Sequence, residues 1–181
     1  MITAAVDGSS LSNPGPAGWA WYVDDGCWAS GGWPVATNNR GELMALLALL
    51  RAGAAAGLAD EPLMVLADSQ YVINAVTKWM PNWKRRGWRK ADGKAVLNAD
   101  MMMALDEAMR GRQVKFTWVK GHAGHLMNEM VDELARSAAT AYQDGRRPDS
   151  GPGFGGLTGA ETPMPAAEAS AIGKASQQRL F

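Results

Sequence analysis

The stretch LMVLADSQY, residues 63–71, determines the fold class expected for this chain. Its first five residues are apolar and too few for a helix, so they predict a strand buried within a sheet. The strand ends at an acid, Asp68, and a helix is expected to begin at Ser69. In open α/β sheets, functional groups collect at the carboxyl ends of adjacent parallel strands. The stretch therefore predicts an α/β fold with a functional acid at the sheet edge.

The rest of the chain supplies alternating strand and helix patterns. The Pro- and Gly-rich stretch SNPGPAG is not expected to be regular. Asp24-Asp25-Gly26 suits a hairpin turn. The remaining predicted elements are strands at 2–7, 18–24, 27–33 and 113–118 and helices at 39–56, 98–110 and 128–143. This order predicts an antiparallel start to the sheet and parallel later strands.

Composition limits the classes of protein. A chain of 181 residues with 47% hydrophobic residues suits one folded domain. The single cysteine, Cys27, allows no internal disulfide. The start MITAAVDG does not resemble a signal peptide, and no apolar run approaches the roughly 18 residues of a membrane span. We therefore expect a cytoplasmic protein without membrane contact, and a monomer because no pairing element is evident.

Four acids stand in settings that suit metal chemistry: Asp7, Glu42, Asp68 and Asp132. Acids that cluster in hydrophobic surroundings would repel one another, so they imply a bound cation. Hard divalent cations prefer oxygen ligands, and Mg²⁺ keeps several waters beside a few carboxylates. Together the acids predict metal-assisted chemistry on a phosphate substrate. Taken singly, Asp7 also suits a turn, Asp68 a helix cap and Glu42 the first turn of a helix.

Charge is concentrated in one segment although the whole chain is neutral. Residues 78–94 contain seven Lys or Arg and one Asp, a local charge of +6, within 18 basic and 18 acidic residues overall. This distribution predicts a local contact with nucleic-acid phosphates rather than a protein that coats nucleic acid by bulk charge. The alternative is a solvated basic face.

Five stretches jointly resemble the motifs of type 1 ribonuclease H of the bacterial kind. They follow in the family's order over residues 1–143: DGSSLSNPGPAG, TNNRGELMA, DSQYV, NWKRRGW and VKGHAGHLMNEMVDELA. The resemblance implies a ribonuclease H-like fold, a five-stranded mixed sheet flanked by helices. It also implies an endonuclease that hydrolyses the RNA strand of RNA–DNA hybrids in primer and R-loop removal. Two Mg²⁺ ions, with Mn²⁺ as the alternative, would assist the reaction and leave 5′-phosphate and 3′-hydroxyl ends.

The resemblance also implies site residues. Asp7, Glu42, Asp68 and Asp132 match the metal ligands, and His122 with Glu129 matches a pair that assists proton transfer or product release. Glu42 can also accept from a 2′-hydroxyl. Matches to substrate-binding positions are Asn13, Asn38 and Gln70 on the RNA strand, and Thr37, Asn39, Trp79, Lys84, Arg85 and Arg86 on the DNA strand. The family commonly has an aromatic residue facing Trp79, where this chain has Met102; Trp83 and Trp88 are expected to pack within the basic segment.

The C-terminal part differs in composition from the domain. Residues 144–176 are rich in Gly, Pro and Ala and predict a flexible tether. The last residues, 177–181, resemble the short peptide by which bacterial proteins bind the sliding clamp, with Gln177, Leu180 and Phe181 as the matching residues. Tethering would raise the local concentration of the enzyme at replication sites. The alternative is a hydrophobic end without a partner.

Two other functions compete with the nuclease. One is a hybrid-binding module without catalysis, which the four self-repelling acids and His122 disfavour. The other is a different nuclease on the same fold, such as a Holliday-junction resolvase or a transposase-like enzyme. The DSQYV and KGHAGH motifs and the basic segment disfavour it.

Overall fold

A computed structural model describes residues 1–155 and shows a five-stranded mixed sheet with helices on both faces, which confirms the predicted fold class. The strands lie in the order β3-β2-β1-β4-β5. Within the described residues, no helix has the length and apolar character needed to cross a bilayer. The strands are β1 (Ile2–Ser10), β2 (Gly15–Asp24), β3 (Cys27–Ala36), β4 (Leu63–Ala67) and β5 (Val114–Trp118). The helices are α1 (Asn38–Ala55), α2 (Gln70–Asn74), a π-helical turn (Ala75–Trp79), α3 (Met80–Arg85), α4 (Ala99–Met109) and α5 (Leu126–Gln143).

The strand register brings the two aspartates of the predicted site together. β1 pairs in parallel with β4, and the last pair is Val6 with Ala67. Asp7 and Asp68 are the next residue on each strand, so the pairing places them beside each other. β1 continues to Ser10 in antiparallel pairing with β2, so Asp7 lies inside the strand rather than at its end.

The two faces of the sheet are covered by α1 and α5. α1 is buried along almost its whole length, because it packs between the sheet and α4. α5 covers the other face and buries mainly alanines, whose small side chains allow close packing against β2. The faces form two apolar clusters, the larger under α1 and the smaller under α5. Both faces of the sheet are thus covered by packed helices.

Prolines interrupt the chain less than the sequence predicts. The stretch SNPGPAG was expected to be irregular, yet β2 begins at Gly15. It does so because Pro16 lies at a shift in the β2–β3 register, where a missing N–H costs no ladder bond. Pro81, within the basic segment, lies in the first turn of α3, where its missing N–H is also tolerated.

The folded domain extends beyond residue 143, where the sequence places the start of a tether. The Phe154 ring stacks on Trp21 with 4.9 Å between ring centroids. The backbone of Gly153 pairs with Trp28, and the Ser30 hydroxyl donates to the Asp149 carbonyl at 2.7 Å. One aromatic anchor therefore holds this segment on β2 and β3 despite its Gly- and Pro-rich composition. The rest of the predicted tether, 156–176, and the end peptide 177–181 lie outside the described residues.

Candidate active site

Three of the four predicted acids converge at the carboxyl edge of the sheet. Ligand oxygens of Asp7, Glu42 and Asp68 lie within 4.8 Å of one another. β1 and β4 supply the two aspartates, and the first turns of α1 supply Glu42. Strand pairing places the aspartates, whereas the packing of α1 against β1 places the glutamate.

The approach of α1 to β1 depends on two glycines that the sequence analysis missed. A Cβ atom on Gly8 would overlap the backbone nitrogen of Glu42, so the strand and the helix touch through their backbones. A Cβ on Gly41 would lie 2.8 Å from the Gly18 carbonyl oxygen on β2. Each glycine is the neighbour of an acid in its motif, and this adjacency was the available signal. A side chain at either position would separate Glu42 from Asp7.

Two of the three converging acids are almost completely buried, where an ionised carboxylate is costly unless it is paired. Asp7 and Glu42 are each 4% exposed. Burial, with repulsion from Asp68, raises the pKa of Asp7 to about 8. Burial and the charge of Asp7 raise the pKa of Glu42, and burial also raises that of Asp68. Glu42 Oε2 is buried and has no hydrogen-bond partner among residues 1–155. An orphaned carboxylate oxygen among converging acids fits a hard divalent cation, which would supply the missing charge.

The local alternatives for these acids do not hold. Ser69, not Asp68, caps α2, because its hydroxyl oxygen accepts from the Val72 N–H at 3.3 Å. The first turn of α1 contains no acid, and its cap is Thr37. Asp7 lies within β1 and accepts from the Gly8 N–H at 2.9 Å. None of the three acids is accounted for by turn or cap chemistry.

The fourth acid, Asp132, lies outside this group of three. It is on α5 and pairs with Arg136 one turn further along, at 3.1 Å between Oδ2 and Nη2. Its side chain is 20% exposed. Its charge nevertheless contributes to the raised pKa values of Asp7 and Asp68, so it lies close to the cluster. Asp132 is held by an ion pair rather than by the strand packing that holds the other acids.

His122 lies in the loop between β5 and α5, close to the acids. Its φ of +56° is in the left-handed region, which non-glycine residues rarely adopt. The side chain is exposed, and its positive charge lowers the pKa of Asp68. Glu129 is exposed in the first turn of α5, and its N–H donates to the His125 carbonyl. The loop thus presents a titratable group beside the acid cluster.

Comparison with known proteins agrees with this geometry. The RNase H family model matches residues 1–140. The chain belongs to the ribonuclease H family. It is 51% identical over 153 residues to Ribonuclease H of Tropheryma whipplei (strain Twist), covering 84% of this chain and 93% of the relative. It is an enzyme of the bacterial ribonuclease HI kind, as the resemblance of its sequence motifs implied.

Two solved ribonucleases H have the same fold. LC9-RNase H1, a type 1 RNase H with the type 2 active-site motif, has a TM-score of 0.65 at 24% identity, covering 90% of this chain and 98% of that one. LC11-RNase H1, solved in complex with RNA/DNA hybrid, has a TM-score of 0.59 at 21% identity, covering 79% and 99%. At these identities the likeness extends to the fold.

Several predicted substrate-binding residues of this ribonuclease H lie on, or next to, the elements that carry Asp7, Glu42 and Asp68. The Asn13 side-chain oxygen accepts from the Asn38 N–H at 3.1 Å, which joins the β1–β2 turn to the start of α1. Thr37, the α1 cap, accepts from the Arg40 N–H at 3.3 Å. Gln70 is exposed at the start of α2, directly after the loop from Asp68, and Asn39 is exposed on α1.

The basic segment includes an exposed aromatic residue, Trp79, which is 36% exposed. Its ring meets Tyr71 edge-on at 5.9 Å and Trp83 at 5.6 Å between centroids. Lys84 forms an ion pair with Asp106 at 2.9 Å, and Arg85 donates a hydrogen bond to the Asn82 side chain. Arg86 is exposed, and Trp83 and Trp88 are half-buried.

Met102 stands where the family commonly has an aromatic residue facing Trp79. Met102 is fully buried in the core under α1. The neighbouring exposed residue of α4 is Met103, at 45%. The core contacts of α4 fix its helical phase and turn Met102 inward. The presence of methionine instead of an aromatic residue at this position therefore affects core packing.

Proposed function

We propose that this ribonuclease H hydrolyses the RNA strand of RNA–DNA hybrids by two-metal-ion catalysis at Asp7, Glu42, Asp68 and Asp132. The convergence of three buried carboxylates, one with an unpaired oxygen, carries the proposal. Such a site is unfavourable unless a cation occupies it. A relative of the same fold has been solved with RNA/DNA hybrid, which supports the choice of substrate.

The chain's own residues would hold the metal and orient the substrate. Bound Mg²⁺, or Mn²⁺ in its place, supplies a water of lowered pKa and stabilises charge on the leaving oxygen. Asp7, Glu42 and Asp68 form the fixed part of the binding site, and Asp132 completes it from α5. Attack of the water on phosphorus would break the bond to the 3′ oxygen and leave a 5′-phosphate and a 3′-hydroxyl.

His122 and Glu129 would handle the proton of the leaving group. The exposed imidazole lies close enough to Asp68 for its charge to lower the pKa of that acid. A histidine titrates near neutrality and can donate a proton to the 3′ oxygen or assist product release. Glu129, exposed on the adjoining turn, would orient it.

Recognition of the hybrid would be divided between two surfaces. On one surface, the 2′-hydroxyls that distinguish RNA from DNA would be contacted by Asn13, Asn38, Gln70 and Glu42. On the other surface, a DNA sugar would pack on the exposed Trp79 ring. The DNA phosphates would be bound by Thr37, Asn39, Lys84, Arg85 and Arg86, and this contribution should weaken with salt.

The test is cleavage of an end-labelled hybrid with and without Mg²⁺, beside duplex DNA and junction DNA. The proposal predicts metal-dependent cutting of the RNA strand alone, and analysis of the ends should show a 5′-phosphate. Binding of the hybrid without cutting would identify a binding module. Cutting of junction DNA would identify a resolvase.

We also propose that residues 177–181 bind the sliding clamp and that the protein acts as a cytoplasmic monomer in removing primers and R-loops. The Gln177, Leu180 and Phe181 pattern supports clamp binding. Clamp affinity should fall when 177–181 are deleted, whereas hybrid cleavage by the free enzyme should not change. Equal clamp affinity of the two proteins would refute clamp binding. Sedimentation of the free enzyme should give the mass of a single chain, and a larger mass would refute the monomer.

A further inference from the structure

Asp68 is the least enclosed of the three converging acids. Asp7 and Glu42 are almost completely buried, whereas Asp68 is half-buried. Asp68 also follows the last residue of β4, so strand pairing holds the residue before it but not Asp68 itself. A half-buried carboxylate beyond the end of a strand requires other contacts to keep a single orientation.

Two contacts from outside β4 reach Asp68. The Trp118 indole N–H, from the last residue of β5, donates to the Asp68 carbonyl oxygen at 3.1 Å. The Asn128 side-chain amide, from α5, donates to Asp68 Oδ2 at 3.5 Å. One contact holds the main chain and the other holds the carboxylate. They come from different elements, so Asp68 is held from two directions.

The burial of Asn128 is unusual for a residue that contributes only to packing. It is 3% exposed, and its Oδ1 is buried without a hydrogen-bond partner in the part of the chain that the structure describes. An unpaired buried amide oxygen destabilises a fold, whereas an apolar side chain of similar volume would avoid that cost. The amide does provide a neutral donor, which binds a carboxylate without adding negative charge to the cluster.

We propose that Asn128 is a positioning residue that, together with Trp118, orients the Asp68 carboxylate for metal binding. The proposal rests on the metal site of the proposed function. Asn128 touches neither substrate nor metal in this role, and it acts through Asp68. Groups that orient metal ligands from outside the coordination sphere typically change metal affinity by about 10–100-fold.

The test measures binding of Mn²⁺ alone to the full chain by electron paramagnetic resonance. Asn128→Leu keeps the branching at Cγ and the number of side-chain heavy atoms and removes the donor. We expect its Mn²⁺ dissociation constant to rise about tenfold. Its melting temperature in EDTA should stay equal to or exceed that of the unchanged protein, because the unpaired oxygen is gone. Asn128→Ala should show the same loss of affinity, and Trp118→Phe, which keeps the ring but not the N–H, a smaller one.

Val131→Ala is the matched control, because Val131 is fully buried on the same helix and packs in the cluster beneath it. It should lower the melting temperature and leave Mn²⁺ affinity unchanged. Unchanged Mn²⁺ affinity in Asn128→Leu and Asn128→Ala would overturn the proposal. So would an equal loss of affinity in Val131→Ala, because general destabilisation would then explain the result.

This readout separates the proposal from the proposed function. Mn²⁺ binding is measured without nucleic acid, so it does not depend on what the enzyme cuts. If Asp7→Asn leaves Mn²⁺ binding unchanged, the metal site itself is misplaced and the proposed function fails. If Asp7→Asn abolishes binding and Asn128→Leu does not weaken it, the role of Asn128 alone fails.

Discussion

The two halves of the active site are built in different ways. Asp7 and Glu42 are buried where β1 and α1 touch through their backbones. Asp132, in contrast, comes from α5, is partly exposed and is held by an ion pair with Arg136. His122 lies near Asp68, in a loop with left-handed backbone. The comparison indicates that backbone packing prepares one half of the metal site in advance, whereas the other half depends on exchangeable side-chain contacts.

Replacing Asp7 should have the largest effect. Asp7→Asn removes a charged ligand from the prepared half, so hydrolysis of the hybrid should fall by more than about 100-fold, beyond the usual effect of altering a ligand's supporting contact. Hybrid binding measured by fluorescence anisotropy should remain, because the basic segment is unchanged. Substantial Mg²⁺-dependent cutting by this variant would show that the prepared half is not the catalytic one.

Separating β1 from α1 should have the next largest effect. In Gly8→Ala the new methyl would overlap the Glu42 backbone, and such overpacking costs about 1–3 kcal/mol of stability. Mn²⁺ affinity should fall as well, because Glu42 moves away from Asp7. Denaturant unfolding and metal titration together check the prediction.

Gly26→Ala is the control for this substitution. A Cβ on Gly26 would meet only the Asp24 side chain, at 3.6 Å, in the β2–β3 turn. It should leave metal affinity unchanged. If Gly8→Ala binds Mn²⁺ as tightly as Gly26→Ala, close backbone contact is not what sets the metal site.

The prepared half should also make stability depend on pH when metal is absent. The pKa of Asp7 is about 8 in the folded protein against an ordinary 3.8, so the folded state binds a proton that the unfolded state has lost. The resulting stability is complete below about pH 4 and disappears as pH rises through about 8. Denaturant unfolding in EDTA should therefore show a falling free energy of unfolding from pH 5 to pH 8, with a weaker slope in Asp7→Asn. An equal slope in both proteins would contradict the assignment.

The smallest effect concerns the exchangeable half. Arg136→Gln releases Asp132, and exposed pairs one helical turn apart are worth about 0.3–0.5 kcal/mol. The Mg²⁺ concentration for half-maximal cleavage should therefore fall by about twofold. Arg110→Gln, which breaks an exposed pair with Glu107 on α4, should change nothing. A rise in the Mg²⁺ requirement of Arg136→Gln would mean that the arginine assists Asp132.

The sequence predicted those parts of the site that follow from local pattern. The apolar run before Asp68 predicted β4 correctly, and the family motifs supplied the sheet. The close approach at Gly8 could not be predicted, because it depends on where α1 lies over β1. The complete burial of Met102 could not be predicted for a similar reason, since motif alignment does not fix the phase of α4 against the core. Phe154 was hidden within a segment whose composition indicates a tether.

The most direct test of the central claim is to locate the metal. Crystals of the full chain containing Mn²⁺, measured for anomalous scattering, should show a peak within bonding distance of Asp7, Glu42 and Asp68, and Asp7→Asn should lose it. A metal bound elsewhere in a protein that still cuts hybrid would contradict the account, as would an unchanged peak in Asp7→Asn.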